Sequence, residues 1–263
     1  MLILKIGGGR SVNMEGIADD LAQAPRPAVI VHGANAWRDE LAARLDVQME
    51  VVTSVRGYDS VLATPESMDV MLMAYAGLRN KRIVELLQQR SIAAVGLTGL
   101  DGRIIQGKRN PGIQCRQGEK MLLRRDLSGK PQRIDARLLA LLTGNGYTPV
   151  LTVPIADETG TAISADNDDI TAVLHRELHA TLVVSFLEAP GFLADPADPA
   201  SVIPHMTRAD LKQWEARSSG RIKRKLRALV QIMEEYPTRI VIADGRTAHP
   251  LADALEGKGT VIA

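Results

Sequence analysis

Residues 2–9 read Leu-Ile-Leu-Lys-Ile-Gly-Gly-Gly: four aliphatic side chains interrupted by one lysine and closed by three glycines. An apolar run without alternation suits a central strand of a parallel sheet, covered on both faces. Lys5 is the constraint. An ammonium in such a strand needs an anionic partner where the strand ends. The Gly7, Gly8, Gly9 loop has no Cβ atoms, so its backbone N–H groups can approach phosphate oxygens closely. The stretch reads as a loop that holds a transferring phosphoryl group; the alternative is an edge-strand lysine that snorkels before an ordinary turn.

Ala28–Val31 repeats the pattern and ends in His32-Gly33-Ala34-Asn35, after which Trp37–Leu45 is amphipathic. Two successive units of strand, glycine-bearing loop and helix predict a doubly wound α/β fold with ligands at the carboxyl ends of the strands. Neither loop is a dinucleotide fingerprint, and no Walker A sequence occurs. Further strands are expected at Ile92–Gly96, Pro149–Leu151, Thr181–Val184 and Arg239–Ala243. Helices are expected over 12–22, Pro65–Leu87, Ile134–Leu142, Ala165–Leu178, Arg221–Met233 and His249–Leu255. Arg103–Arg125 lacks helical period and carries turn signals at Asn110-Pro111-Gly112 and Gln117-Gly118, so it reads as hairpins. The methionines of the 65–87 helix (Met68, Met71, Met73) read as core.

Composition narrows the function. A net charge of +1 and 3% aromatic residues give no basis for nucleic-acid binding. The single cysteine, Cys115, forms no internal disulfide and fits a reducing compartment. No apolar run reaches the roughly 18 residues of a membrane span, so a soluble cytoplasmic protein is expected. The five histidines fit no zinc spacing, and no nucleophile–base pair is legible. Two charged runs remain. Asp166-Asn167-Asp168-Asp169 precedes an apolar helix and reads either as an N-terminal cap or as a partner for Mg²⁺ or lysines in a phosphate site. Arg221-Ile222-Lys223-Arg224-Lys225 is either a solvated helix face or the source of such a lysine.

Taken in order, Lys5 with Gly7-Gly8, His32-Gly33, Asn80-Lys81, Gly96-Leu97-Thr98-Gly99-Leu100-Asp101-Gly102, Asp168, Pro190-Gly191, Lys225, Ile242–Arg246 and Gly259-Thr260 resemble the amino acid kinase superfamily. Within it they are most similar to the acetylglutamate kinase group, nearest the [LysW]-aminoadipate kinase branch, whose substrate rides on a small acidic protein. The resemblance implies an α/β/α sandwich around a mostly parallel central sheet, with an acceptor lobe over residues 1–177 and a nucleotide lobe over 178–263. It implies an ATP-dependent kinase, with Mg²⁺ on the phosphates, that makes an acyl phosphate from a carboxylate in amino-acid biosynthesis. Lys5 and Lys225 would brace the phosphoryl group, with Asp168 orienting both. Gly7, Gly8, Gly9, Gly191 and Asp244 would contact ATP, and Gly33, Ala34, Val61 and Ser164 would line the acceptor site. Such a reaction needs no general base, because a carboxylate is already a nucleophile; in-line positioning and charge cancellation suffice. A homodimer is expected from the same resemblance.

Four positions depart from the family pattern. Val61 stands where relatives carry an arginine that grips the substrate's α-carboxylate, and Ser164 where they carry an asparagine. Ala34-Asn35 follows His32-Gly33 where glycine is usual, and Leu187-Glu188 replaces a polar pair before Pro190-Gly191. Loss of a bidentate arginine removes a charge-assisted grip; Arg10, Arg38 and Arg56 are candidate substitutes. Between Asp101 and Arg133, nine basic residues stand against three acidic ones, a local charge of +6. A basic patch on a balanced chain suits an acidic macromolecular partner, with Arg116, Lys120, Arg124 and Arg125 as the expected docking residues for a carrier protein. A solvated loop set is the alternative. Rival activities are phosphorylation of free N-acetylglutamate, phosphorylation of a phosphate acceptor, and nucleotide-dependent regulation without turnover.

Overall fold

The computed structural model describes residues 1–55, 59–117 and 120–263, without the side chains of Asp59, Gln117 and Arg221. The substitute role of Arg56 and the turn at Gly118 lie outside the described residues. In chain order the elements are β1 (Leu2–Ile6), α1 (Met14–Gln23), β2 (Ala28–His32), α2 (Asn35–Arg44), β3 (Val51–Thr53), β4 (Asp59–Val61) and α3 (Pro65–Met71). A π-helical stretch, Leu72–Arg79, joins α3 to α4 (Asn80–Gln88) without a break. Then come β5 (Ala94–Gly99), β6 (Ile105–Arg109), β7 (Ile113–Gln117), β8 (Lys120–Arg124), β9 (Gly129–Ile134), α5 (Ala136–Gly144), β10 (Thr148–Ala156) and β11 (Ala162–Ile163). The chain closes with α6 (Asn167–Leu178), β12 (Leu182–Leu187), β13 (His205–Met206), α7 (Arg208–Arg217), α8 (Gly220–Glu235), β14 (Arg239–Asp244), α9 (Pro250–Leu255) and β15 (Thr260–Ile262).

An 11-stranded sheet runs β13-β15-β14-β12-β1-β2-β10-β6-β9, with β5 and β11 also paired to β10. Its centre is parallel: β1 lies between β12 and β2, with Lys5 opposite Ser185 on one side and Val31 on the other. Antiparallel pairs occur at β6–β9, β10–β11 and β14–β15.

Side chains on successive strand residues point to opposite faces, and the two cores follow that rule. Leu2, Leu4 and Ile6 join one core with Ile17 of α1, Ile83 and Leu87 of α4 and Leu251 of α9. Ile3, Val29, Val31 and Val183 join the other with Met68 of α3, Leu139 of α5, Ile170 and Leu174 of α6, and Leu226 of α8. Lys5 shares the face of Ile3, so its ammonium is directed to the side on which α6 and α8 pack. That is the alternation by which a lysine inside a buried strand reaches a partner.

The structure departs from the sequence expectations in three places. β6 belongs to the main sheet, pairing with β9 and β10, and among the described residues of 103–125 β7 and β8 alone pair apart from it. Helix α7 is additional: Thr207 and Asp210 form a reciprocal capping box, but Leu211 is its one fully buried residue, so it shows no apolar stripe. Of the methionines read as core, Met68 and Met71 are buried, whereas Met73 is 44% exposed on the π-helical stretch.

Candidate active site

Lys5 Nζ lies 2.6 Å from Asp168 Oδ1, and Lys225 Nζ lies 3.4 Å from the same oxygen. The three side chains come from three elements: the carboxyl-terminal half of β1, the first turn of α6 and the second turn of α8. Asp166 caps α6 by accepting from the Asp168 N–H at 2.9 Å. The acidic run is therefore a cap and an ion-pair partner at once, and the helix dipole favours the carboxylates there. Burial opposes charge on Lys5, but the Asp168 carboxylate outweighs it and raises the lysine's pKa. Burial and then the charge of Lys5 bring Lys225 down to about 8, against the pull of Asp168. Burial would raise the Asp168 pKa, yet the two ammoniums hold it well below the usual carboxylate range. One carboxylate is shared unequally by two cations, and Lys5 has the shorter contact.

The two glycine loops interlock beside this trio. Gly33 N–H donates to the Ile6 carbonyl at 3.0 Å, and Ala36 N–H donates to the Gly8 carbonyl at 3.0 Å. A Cβ on Gly8 would stand 2.7 Å from the Asn35 backbone nitrogen, and one on Gly33 would stand 3.0 Å from the Gly8 Cα. Both glycines are required by this close approach. α2 opens directly from the second loop at Asn35, with Ala34 buried at its N-cap. Gly9 lies against the Glu188 carboxylate, and Glu188 Oε1 accepts from the Ser11 N–H at 2.6 Å. Glu188 thus comes from the end of β12 to the first loop. Gly7 N–H donates to the Phe186 carbonyl at 3.3 Å, which ties that loop to the same strand.

Other predicted site residues lie on separate segments, Val61 on the separate β3–β4 sheet. Asp244 ends β14 and holds the Arg246 guanidinium through two bonds of 2.8 Å. Gly191 is buried, with the Thr260 hydroxyl 2.9 Å from where its Cβ would be. Val61 lies on β4, and the Ser164 N–H donates to the Leu127 carbonyl at 2.7 Å, in the chain that enters α6. Two of the proposed substitute arginines have partners of their own. Arg10 pairs with Glu40 and stacks on Trp37, 5.1 Å from its ring centre, while Arg38 pairs with Asp39 at 2.7 Å. Arg224, singled out only as part of a basic run, reaches the site: Nη1 lies 3.5 Å from Asp166 Oδ2, and Nη2 donates to Ser60 Oγ at 3.2 Å.

The middle motifs are scaffolding. Asn80 donates to the Val150 carbonyl at 2.9 Å and lies 3.2 Å from His32 Nε2, while Lys81 donates to the Gly96 carbonyl at 3.0 Å. Gly96 lets α4 rest on the sheet, since a Cβ there would come within 2.9 Å of Val84. Burial takes the His32 pKa down to about 3, so its ring is neutral. Asp101 closes a turn on the Thr98 N–H at 2.6 Å.

Residues 1–244 match the amino acid kinase family. The chain belongs to that family. The amino acid kinase fold accounts for the mixed, mostly parallel sheet with helices on both faces, and the kinase family implies use of ATP. Among relatives, the [LysW]-aminoadipate kinase of Thermus thermophilus is 35% identical over 268 residues, covering 100% of each chain. The [LysW]-aminoadipate kinase of Deinococcus radiodurans is 34% identical, covering 100% of this chain and 91% of the relative. Among solved structures, the N-acetylglutamate synthase of Neisseria gonorrhoeae superposes with a TM-score of 0.78 at 19% identity, covering 100% of this chain and 59% of the other.

Proposed function

We propose that this amino acid kinase uses ATP to convert a carboxylate into an acyl phosphate, and that its acceptor is an amino-dicarboxylate linked to a small acidic carrier protein. The observation that carries the chemistry is the Lys5–Asp168–Lys225 trio, held beside two interlocked glycine loops. The transferring phosphoryl group spreads negative charge over its oxygens, and two fixed ammoniums compensate it without reorganisation. Asp168 keeps both ammoniums aimed and leaves the site about one positive charge in excess. The N–H groups of the Gly8 and Gly33 loops line the approach of the acceptor carboxylate. In this reading residues 1–177 form the acceptor lobe and 178–263 the nucleotide lobe, with Gly191 and Asp244 near the nucleotide.

Mg²⁺ on the nucleotide would neutralise phosphate charge and fix the phosphates' geometry. The donor set fits an ion carried by the nucleotide. Among the described residues no group of three or more His, Cys, Asp or Glu side chains could cage a metal, while Glu188 offers an oxygen at the edge of the first loop.

The carrier assignment draws on the names of the relatives, kinases of [LysW]-linked acids, and on the β7–β8 hairpin. Arg116, Lys120 and Arg125 are exposed there, and so are Met121 and Leu123 at 55% and 50%. Arg124 is paired with Glu50 at 2.8 Å, which leaves the other three as the main electrostatic docking residues. A homodimer using the exposed Met73 and Leu78, and a cytoplasmic location, belong to the same reading; no helix among the described residues is long and apolar enough to cross a membrane. The test is ATP turnover in hydroxylamine with free and carrier-linked 2-aminoadipate. Hydroxamate formed from the linked acid supports the reading. ADP formed without hydroxamate, and only when a phosphate monoester is supplied in place of the acids, indicates a phosphate acceptor, and ATP binding without ADP indicates a regulator.

A further inference from the structure

Two arginines meet on one aromatic ring beside the glycine loops. Arg10 follows the first loop directly, and Trp37 stands in the first turn of α2, which opens from the second. The Arg10 guanidinium carbon lies 5.1 Å from the Trp37 ring centre. That of Arg79, at the end of the π-helical stretch, lies 4.2 Å from it. Each contact is a cation–π attraction, yet together they bring two like charges to one ring.

Arg79 differs from the arginines around it. Arg10 has Glu40, Arg38 has Asp39 and Arg82 has Glu85. Arg79 Nε is buried with no hydrogen-bond partner, and among the described residues no carboxylate pairs with the guanidinium. Burial brings its pKa down to about 10, and the next cause is the positive charge of Arg10. Arg79 in turn opposes protonation of the buried His32 ring, at the root of the second loop. It is therefore charged at neutral pH in surroundings that supply a second cation and no anion. Buried polar groups are ordinarily satisfied, and a desolvated charge is costly without a counter-charge.

A counter-charge has a way in. Arg79 lines an open cavity of about 390 Å³ between the head of α1 and α4, with Val12, Asn13, Glu15 and Gln89 on its walls. Glu15 is not among the groups that act on Arg79. Neither Arg10 nor Arg79 is among the charges that act on Lys5, Asp168 or Lys225, so the cavity is separate from the phosphoryl site.

We propose that Arg79 anchors a second anion site, which takes a small oxyanion, phosphate or carboxylate, on its guanidinium, with Arg10 adding attraction. The planar fork of a guanidinium matches either oxyanion. A bound oxyanion relieves the repulsion between Arg10 and Arg79 and steadies the chain that leaves the first glycine loop. The site is independent of what the kinase phosphorylates.

Trp37 is a built-in reporter. The chain has two tryptophans, and Trp214 packs edge-on against Phe192, so Trp214→Phe keeps an aromatic ring there and leaves Trp37 as the emitter. Emission is titrated with inorganic phosphate and with citrate, each against chloride at equal ionic strength. A saturable change with its midpoint at about 0.1–5 mM is expected for at least one of them. Phosphate alone assigns the site to phosphates, citrate alone to carboxylates, and both to their shared chemistry. Arg79→Gln should weaken the midpoint by at least about tenfold, and Arg79→Lys, charged but without the fork, by less. The same anion should raise the melting temperature of the parent and not of Arg79→Gln. If Arg79→Gln does not fold, Arg10→Gln, at an exposed position, should still weaken the midpoint by about two- to fivefold. No saturable change with either anion overturns the inference, as does a response that these substitutions leave intact. A response that Mg-ATP abolishes and Arg79→Gln does not belongs to the phosphoryl site and overturns it as well.

Discussion

Lys225 gives the site a pH signature. Burial and the charge of Lys5 bring its pKa to about 8, so at pH 8 about half of the ligand-free molecules carry this ammonium. On the proposed reading a bound triphosphate adds negative charge beside it and raises the pKa back toward or above the ordinary value of about 10.4. ATP binding therefore takes up a proton. The sign and window follow from the direction of the shift. At pH 7 the lysine is already about nine-tenths protonated and uptake is about 0.1; at pH 8 it is about 0.5, and at pH 9 about 0.9. Over the same range the affinity for ATP falls, approaching about tenfold per pH unit above pH 8. The groups facing Lys225 are Lys5, Asp168 and Asp166. Lys5 stays charged because its pKa is raised, and Asp168 stays ionised because its pKa is depressed. Calorimetric titration of Mg-ATP in two buffers of different ionisation enthalpy measures the uptake directly, and Lys225→Arg, charged throughout, should abolish it. Uptake that does not grow from pH 7 to pH 9, or that persists in Lys225→Arg, would refute the electrostatic account of the trio.

On the proposed reading, in which the lysine acts on the transferring group, Lys5→Ala should lower kcat by at least about a hundredfold while ATP binding falls much less; single-turnover kinetics beside a binding titration separates the two, and an equal loss of ATP affinity at unchanged turnover would make Lys5 a ground-state ligand. Gly8→Ala forces a Cβ to within 2.7 Å of the Asn35 nitrogen and pushes the glycine loops apart, so kcat/KM should drop by about a hundredfold with the far-ultraviolet circular dichroism preserved. Lys120→Glu with Arg125→Glu should raise the KM for carrier-linked acceptor and spare ATP, with the effect shrinking at high salt. Adding Arg124→Glu should change that KM less than its charge suggests, since Arg124 already faces Glu50.

The parts of this molecule that follow from local rules were legible in its sequence. An unalternating apolar run predicted a doubly covered strand, and its lysine predicted an anion; β1 has both. The acidic run before an apolar helix was legible as a cap, and Asp166 is one. Contacts between distant segments were not legible. β6 looks like one arm of a local hairpin because turn residues follow it, yet its partners are β9, beyond the β7–β8 hairpin, and β10, beyond α5. α7 has no apolar stripe to mark it in the sequence, since its surface is polar nearly all round and its capping box is the one local signal. Asn80 and Lys81, two positions of the family pattern, are struts between α4 and the sheet. Arg224 looked like one charge among several on a helix face. Its contact with Ser60 spans 164 positions in sequence and depends on how α8 lies across α6.

The placement of β1 also bears on how the chain comes to be active. Its register is fixed by β2, the next strand in the chain, on one side and on the other by β12, which follows α6. A strand made early in synthesis thus waits for one made much later to complete its edge, a long loop closure of the kind that slows folding. Until β12 docks, the Gly7 N–H lacks the Phe186 carbonyl that anchors the first loop. Lys225 arrives later still. A nascent or truncated chain that ends before β12 would leave one edge of β1 open, with Asp168 in place but the second ammonium missing. It would therefore present a sticky strand before it presents a catalyst.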